Sequence, residues 1–447
     1  MHRLLFLMPL LLTACYMGDD VIERVNPEDI LSPQVAQYAV DANYGGFNWN
    51  NDPATLDYES SYEYVFDRLP LSASLDKVPW TGSYWPENEG GISHRWQTGE
   101  QHDYRLLAPD EIAAASPETI RTLSPVEKYD LYVGAKDWPL TIAVLSATSP
   151  QEPSWAGYCH GWAPASMTYE EPRPVEVVGA TGIRIPFGSA DIKALLTYFE
   201  GEASQTSYYS ESQGPWARNP LSLGNNCKSS SPDDSNCYDI NPAALHVVMA
   251  NRIGLQGLGL VADVDPSAEK WNQPIFSYQS NVLTRQEASP GASPDAVEEL
   301  VVASRVAWTV EIEPRWETAT PPVHDRQVLY SLELNENREV VGGQWLYQLN
   351  AYDFLTYHQT LKALREWDEN QDGTPDLSDD DVLHWMQEWF KVIDFAWILK
   401  PGSFSETFRQ ADSGYAFFAP TASSRAHRFD YMAKLKDIYE ASISGVQ

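Results

Sequence analysis

From Leu258 to Asp265 the chain alternates with period two: Leu258, Leu260, Ala262 and Val264 face one way, Val261, Asp263 and Asp265 the other. Alternating runs recur at Val306 to Ile312, Val328 to Leu334 and, after a turn at Gly342-Gly343, Gln344 to Leu349. They predict an antiparallel sheet. The chain before them carries helical punctuation. Ser116-Pro117-Glu118 and Ser124-Pro125-Val126-Glu127 each offer a Ser N-cap with Pro at the first helical position. Ile183 to Phe187 reads as a strand, and Ala190 to about Phe199 as a helix with Ile192, Leu195, Leu196 and Phe199 on one face. Asn241-Pro242 opens a helix ending at Gly254, with Leu245, Val248, Met249 and Ile253 as its buried stripe. Val78 to Pro86, aromatic and rich in Pro and Gly, reads as irregular coat on the core. Helices followed by a run of strands predict an α+β fold.

The cysteines narrow the chemistry. Of the four, Cys15 follows a short apolar leader, Cys227 and Cys237 sit close enough to close a Ser/Asn/Gly-rich loop as a disulfide, with a metal pair as the alternative, and Cys159 is left over. It sits in Trp155-Ala-Gly-Tyr-Cys159-His160-Gly161-Trp162-Ala163-Pro164, where a proline in the first turn of a helix puts the thiol at a helix N-terminus. Positive partial charge there favours a thiolate nucleophile; a buried free thiol acting as a small hydrophobe is the alternative. A nucleophile needs a base. His160 is adjacent and expected to point elsewhere, so His246, at the edge of its helix stripe, is the candidate imidazole. Asp263, or else Asp265, on the next strand would orient it. Trp155 and Trp162 are candidates for lining a cleft.

Asp368-Glu-Asn370-Gln-Asp372-Gly373-Thr374-Pro-Asp376-Leu-Ser-Asp379 fits an EF-hand-type loop, flanked by helical patterns. Asp368, Asn370, Asp372, Thr374, Asp376 and Asp379 are its candidate Ca²⁺ ligands, with a solvated acidic loop as the alternative. At the start, Met1-His2-Arg3, a Leu-rich run and Leu12-Thr13-Ala14-Cys15 read as a secretory signal and resemble the bacterial lipobox. The resemblance implies cleavage before Cys15, lipidation of its thiol and, because Tyr16 stands where an Asp would imply inner-membrane retention, an outer-membrane place, periplasmic or at the surface; an ordinary signal peptide with an incidental Cys is the alternative. With 63 Asp plus Glu against 30 Lys plus Arg, the formal charge is −33, which repels nucleic acid. The expected organisation is a signal peptide at 1–14, a polar tether at 15–51, a catalytic domain at 52–350 and a helical C-terminal region at 351–447, in a monomer that meets the membrane only through its lipid.

Several stretches together resemble the transglutaminase elicitor family of oomycetes and some bacteria. They are Trp271-Asn272-Gln273-Pro274-Ile275 with Tyr278, Pro79-Trp80 with Ser83-Tyr84-Trp85-Pro86, Ser124-Pro125 with Glu127-Lys128-Tyr129-Asp130, the Cys159 run, Ile185 to Leu196, and Gly342-Gly343-Gln344-Trp345. The first of these resembles the core of a surface peptide of the oomycete enzymes. The resemblance implies a papain-like or transglutaminase-like core with Cys159 as acyl-accepting nucleophile. It implies γ-glutamyl transfer from protein glutamine to lysine, polyamines or other primary amines. The lipobox and the EF-hand-like region are not features of the oomycete members. A cysteine hydrolase (protease or deamidase) and a non-enzymatic Ca²⁺-dependent surface protein are the rival readings.

Overall fold

The computed structural model describes residues 46–47, 51–56, 62–203, 222–224, 240–264, 269–289, 291–315, 320–345, 395–397 and 431–444. Cys15, Cys227, Cys237, Asp265, the loop of Asp368 to Asp379 and the helical patterns from Phe354 onward to Phe395 lie outside these residues, except that Phe395 itself begins a short strand.

The described strands run β1 (Ser72–Ser74), β2 (Val175–Val178), β3 (Arg184–Phe187), β4 (Ser222–Gly224), β5 (Leu260–Asp263), β6 (Asn272–Glu287), β7 (Glu298–Thr309), β8 (Val323–Leu334), β9 (Val340–Trp345) and β10 (Phe395–Trp397). All but β2 and β3 form one sheet in the order β4-β10-β5-β6-β7-β8-β9, with β1 also paired to β6; every pairing is antiparallel. β2 and β3 pair as a separate hairpin. The helices are α1 (Pro109–Ala114), α2 (Pro117–Arg121), α3 (Pro125–Val133), α4 (Pro139–Ala147), α5 (Cys159–Thr168), α6 (Ser189–Tyr198), α7 (Pro242–Met249) and α8 (Leu435–Ile443). α6 and α7 each run on into a π-helical turn, Phe199–Ala203 and Ala250–Leu255.

The two sides of β5 show why the sheet divides the molecule. Val261 joins a core built from α1 to α6 and α8, whereas Leu260, Ala262 and Val264 join a second core built on α7 and strands β6 to β9. Period-two alternation sends successive side chains to opposite faces, so α5 and α7 lie on different sides of one sheet. Within the helical layer, Ser116 accepts from Thr119 N–H at 3.1 Å and caps α2. Ser124 and Glu127 form a reciprocal capping box at the head of α3. Lys128 and Asp191, both fully buried, tie α3 to α6 at 2.6 Å, and Asp191 also accepts from Trp96 Nε1 and Gly188 N–H. Removing one member would strand the other's charge, at a cost of about 3–5 kcal/mol.

Local expectations change where tertiary contacts intervene. Gly342-Gly343 is not a turn but the middle of β9; a Cβ on Gly343 would overlap the Ser331 carbonyl of β8. The turn is Asn335 to Arg338, with Arg338 at φ 62°. The alternation through Ile312 outlasts β7, which ends at Thr309; Val310 and Ile312 bond instead to Thr81 and Gly82 of the irregular coat. The Trp271 stretch is no surface peptide here: Asn272, Gln273 and Ile275 are buried as the opening of β6.

Candidate active site

α5 begins at Cys159 because the chain before it is clamped. Tyr158 N–H donates to the Tyr84 carbonyl at 2.6 Å, and Gly157 lies so close that a Cβ would come within 2.7 Å of that carbonyl. The Tyr158 carbonyl then accepts from both Gly161 and Trp162 N–H at 2.9 Å, closing the first turn. Pro164 falls in the second turn rather than the first, so it removes the helical bond to the His160 carbonyl.

Cys159 is a free thiol, 4% exposed, at the head of this helix. It faces the start of β6: the thiol lies 3.5 Å from the Lys270 carbonyl and accepts from Asn272 Nδ2 at 3.5 Å. Tyr84, edge-on to the Trp271 ring at 5.2 Å, stands nearby. Burial pushes the Tyr84 hydroxyl up to about 12, aided by the charges of Glu89, Glu311, Glu313 and Cys159.

The imidazole that meets the thiol is His160. Burial pulls its pKa down, but interaction with the Cys159 side chain and then with Glu202 more than offsets this and raises it to about 10. Glu202 Oε1 is 3.4 Å from His160 Nε2. The carboxylate arrives on the π-helical turn after α6, and two glycines let that turn approach. A Cβ on Gly161 would overlap the Thr197 carbonyl, and one on Gly201 would sit 2.9 Å from His160 Nε2. Glu87, near the same group, is pushed up first by burial and then by Glu152 and Glu202, with His160 opposing.

His246 does not join this group. It lies on α7, across the sheet, where its ring stacks on Phe66 at 6.1 Å and Nδ1 shares a 2.7 Å hydrogen bond with the Tyr330 hydroxyl. Tyr330 continues to Ser304 and Ser304 to Ser280, each at 2.6 Å, so His246 heads a chain of core hydroxyls. Burial alone lowers its pKa to about 4, and Nε2 has no hydrogen-bond partner among the described residues. The expectation of a Cys159–His246 pair is corrected by the sheet between them. Asp263 is on the thiol's side, register-paired with Asn272 and fully buried, and its Oδ1 accepts Trp271 N–H at 2.8 Å. Trp162 is buried under the site, and Trp155 is half-buried before it. Among the described residues no group of three or more His, Cys, Asp or Glu is arranged to hold a metal ion.

A thiol at a helix head, an adjoining imidazole and a carboxylate behind that imidazole, on a mixed helical and antiparallel scaffold, define a candidate cysteine-nucleophile site. Residues 149–363, which include Cys159, His160, Glu202, His246, Asp263 and Asn272, match the family model described as transglutaminase elicitor. Among solved structures, the crystal structure of the GP42 transglutaminase from Phytophthora sojae is similar at 22% identity and a TM-score of 0.47, covering 68% of this chain and 87% of that one. No curated protein matches.

Proposed function

We propose that this protein is a protein-glutamine γ-glutamyltransferase in which Cys159 is the nucleophile, His160 the acid–base and Glu202 the carboxylate that orients and charges the imidazole. The observation that carries the reading is the Cys159–His160–Glu202 row, within the stretch that matches the transglutaminase elicitor family. With His160 already charged, the Cys159 sulfur attacks the side-chain amide carbon of a substrate glutamine as the thiolate, its proton held on the imidazole. The imidazolium returns that proton to the leaving nitrogen, ammonia departs, and a thioester remains. A primary amine, from a lysine or polyamine, then attacks the thioester carbon, gives a proton to His160, and releases the thiolate as the new amide forms. The aromatic pair Tyr84 and Trp271 supplies a wall that would keep water from the thioester.

The test is incorporation of a labelled primary amine into a glutamine-bearing protein by wild type and by Cys159→Ala. Wild-type incorporation that vanishes in the variant supports the reading; equal incorporation by both, or ammonia release by wild type without incorporation, overturns it. Two further features belong to the same proposal. The loop of Asp368 to Asp379 binds Ca²⁺, checked by a melting temperature that falls on chelation. Cys15 carries a lipid that tethers the enzyme to a bacterial outer membrane, checked by partition into detergent that is lost in Cys15→Ser. No helix among the described residues is long and apolar enough to cross a membrane.

A further inference from the structure

The thiol has a third polar neighbour that the row of Cys159, His160 and Glu202 does not use. Asn272, the first residue of β6 and 6% exposed, donates its side-chain amide to Cys159 Sγ at 3.5 Å. It is held by the sheet rather than by a loop. Its register partner is Asp263 on β5, whose carboxylate anchors the preceding residue through Trp271 N–H at 2.8 Å. Strand pairing therefore fixes an amide donor against the sulfur.

We infer that Asn272 is a catalytic residue that donates a hydrogen bond to the oxyanion formed when Cys159 attacks an acyl carbon. This rests on the acyl-transfer reading above. On attack, the sulfur forms the S–C bond while the carbonyl π electrons move to oxygen, which becomes an alkoxide two bonds from the sulfur. A donor already in contact with the sulfur can reach that oxygen with a small side-chain rotation. The backbone N–H of Cys159, the first residue of α5, has no intrahelical acceptor, which makes it the natural second donor. When the C–N bond breaks, the oxygen's electrons re-form the carbonyl and the charge at Asn272 disappears. A donor that is weakly used by the neutral amide and strongly used by the alkoxide lowers the barrier rather than the affinity.

Two reactions of one sulfur separate this role from simple support of the thiol. Alkylation by iodoacetamide forms an S–C bond with loss of iodide and passes through no oxyanion. Acylation by a glutamine substrate, or by p-nitrophenyl acetate, does. In Asn272→Ala the acylation rate constant is expected to fall by about 10²–10³-fold with KM changed less than about threefold, while alkylation stays within about threefold of wild type. Asn272→Asp, isosteric but lacking the amide donor, should match it, which guards against a loss caused by misfolding of the alanine variant. Acylation by both variants at the wild-type rate overturns the inference. So does a parallel fall in acylation and alkylation, which would make Asn272 a support for the thiol. Failure of the transferase reading looks different: the wild type would be acylated by the ester but not by glutamine, and the Asn272 comparison would still be decided on the ester.

Discussion

His160 and His246 lie on opposite sides of one sheet, and burial acts on both rings in the same direction, yet their pKa values end at about 10 and about 4. The difference is what each ring meets. His160 has the Cys159 sulfur and the Glu202 carboxylate beside it, and hydrogen bonding and charge interaction with the two stabilise the charged ring. His246 has Phe66, apolar α7 neighbours and a neutral phenol, so nothing offsets the loss of water. The helical face of the sheet therefore keeps a charged imidazole beside the sulfur at neutral pH, while the α7 face is a core with a polar thread in it.

Breaking the helical face should give the largest effects. Cys159→Ala is expected to lower amine incorporation by about 10⁴-fold or more, since removal of a nucleophile leaves only binding and oxyanion contacts. His160→Asn should lower kcat by about 10²–10⁴-fold, the usual range for an acid–base group. His246→Phe should leave kcat within a few-fold in protein that remains folded. If instead His246→Phe abolished turnover while His160→Asn did not, the contrast between the faces would be wrong.

The next effect is on stability against pH. A histidine whose pKa falls from 6.5 to about 4 on folding binds its proton more readily when unfolded. Folding stability contributed by neutral His246 is therefore complete above pH 6.5 and is lost as pH falls from there toward 4. The full loss is on the order of 3 kcal/mol. Denaturant unfolding at pH 7.5, 5.5 and 4.5 should show this slope in wild type and a flatter one in His246→Phe. His160 has the opposite sign: its raised pKa favours the folded state below pH 6.5, and that contribution fades as pH climbs through about 10.

Glu202→Gln should have a smaller effect, roughly 10- to 100-fold in kcat, because the imidazole keeps a hydrogen-bonding neighbour but loses its negative charge. Its signature is in the pH–rate profile. The alkaline limb, which reports His160, should move to lower pH in the variant. An unmoved limb would mean that Glu202 acts on His160 only by packing.

Much of this arrangement was legible beforehand. Ser–Pro punctuation located α2 and α3, the period of two located β5, and that same period put Val261 and Asp263 on one side, which is the thiol's side. Cysteine arithmetic singled out Cys159. The partner imidazole was not legible, for two physical reasons. Residues adjacent on a helix project about 100° apart, which argues against neighbours cooperating, but both still emerge from the same open end when the helix starts at the first of them. And the carboxylate came from a π-helical turn whose approach depends on Gly161 and Gly201, so the informative signal was a pair of glycines far apart in sequence rather than any charge pattern. His246 carried a plausible spacing, yet spacing does not reveal on which side of the sheet a helix packs.

Asp263 is the residue on which the two faces can be compared most finely, with the smallest expected effect. It is fully buried on the thiol's side, and its Oδ1 accepts Trp271 N–H, an acceptor role that an asparagine carbonyl can also fill. If Asp263 only positions the β5–β6 register, Asp263→Asn should lower kcat by less than about tenfold, since its effect reaches the thiol through Trp271 and Asn272. If it were the carboxylate that fixes a catalytic imidazole, the same change would cost about 10⁴-fold, as the wrong tautomer would be held. Measuring kcat for Asp263→Asn beside Glu202→Gln ranks the two carboxylates. A loss at Asp263 exceeding the loss at Glu202 would move the orienting role from the π-helical turn to the sheet.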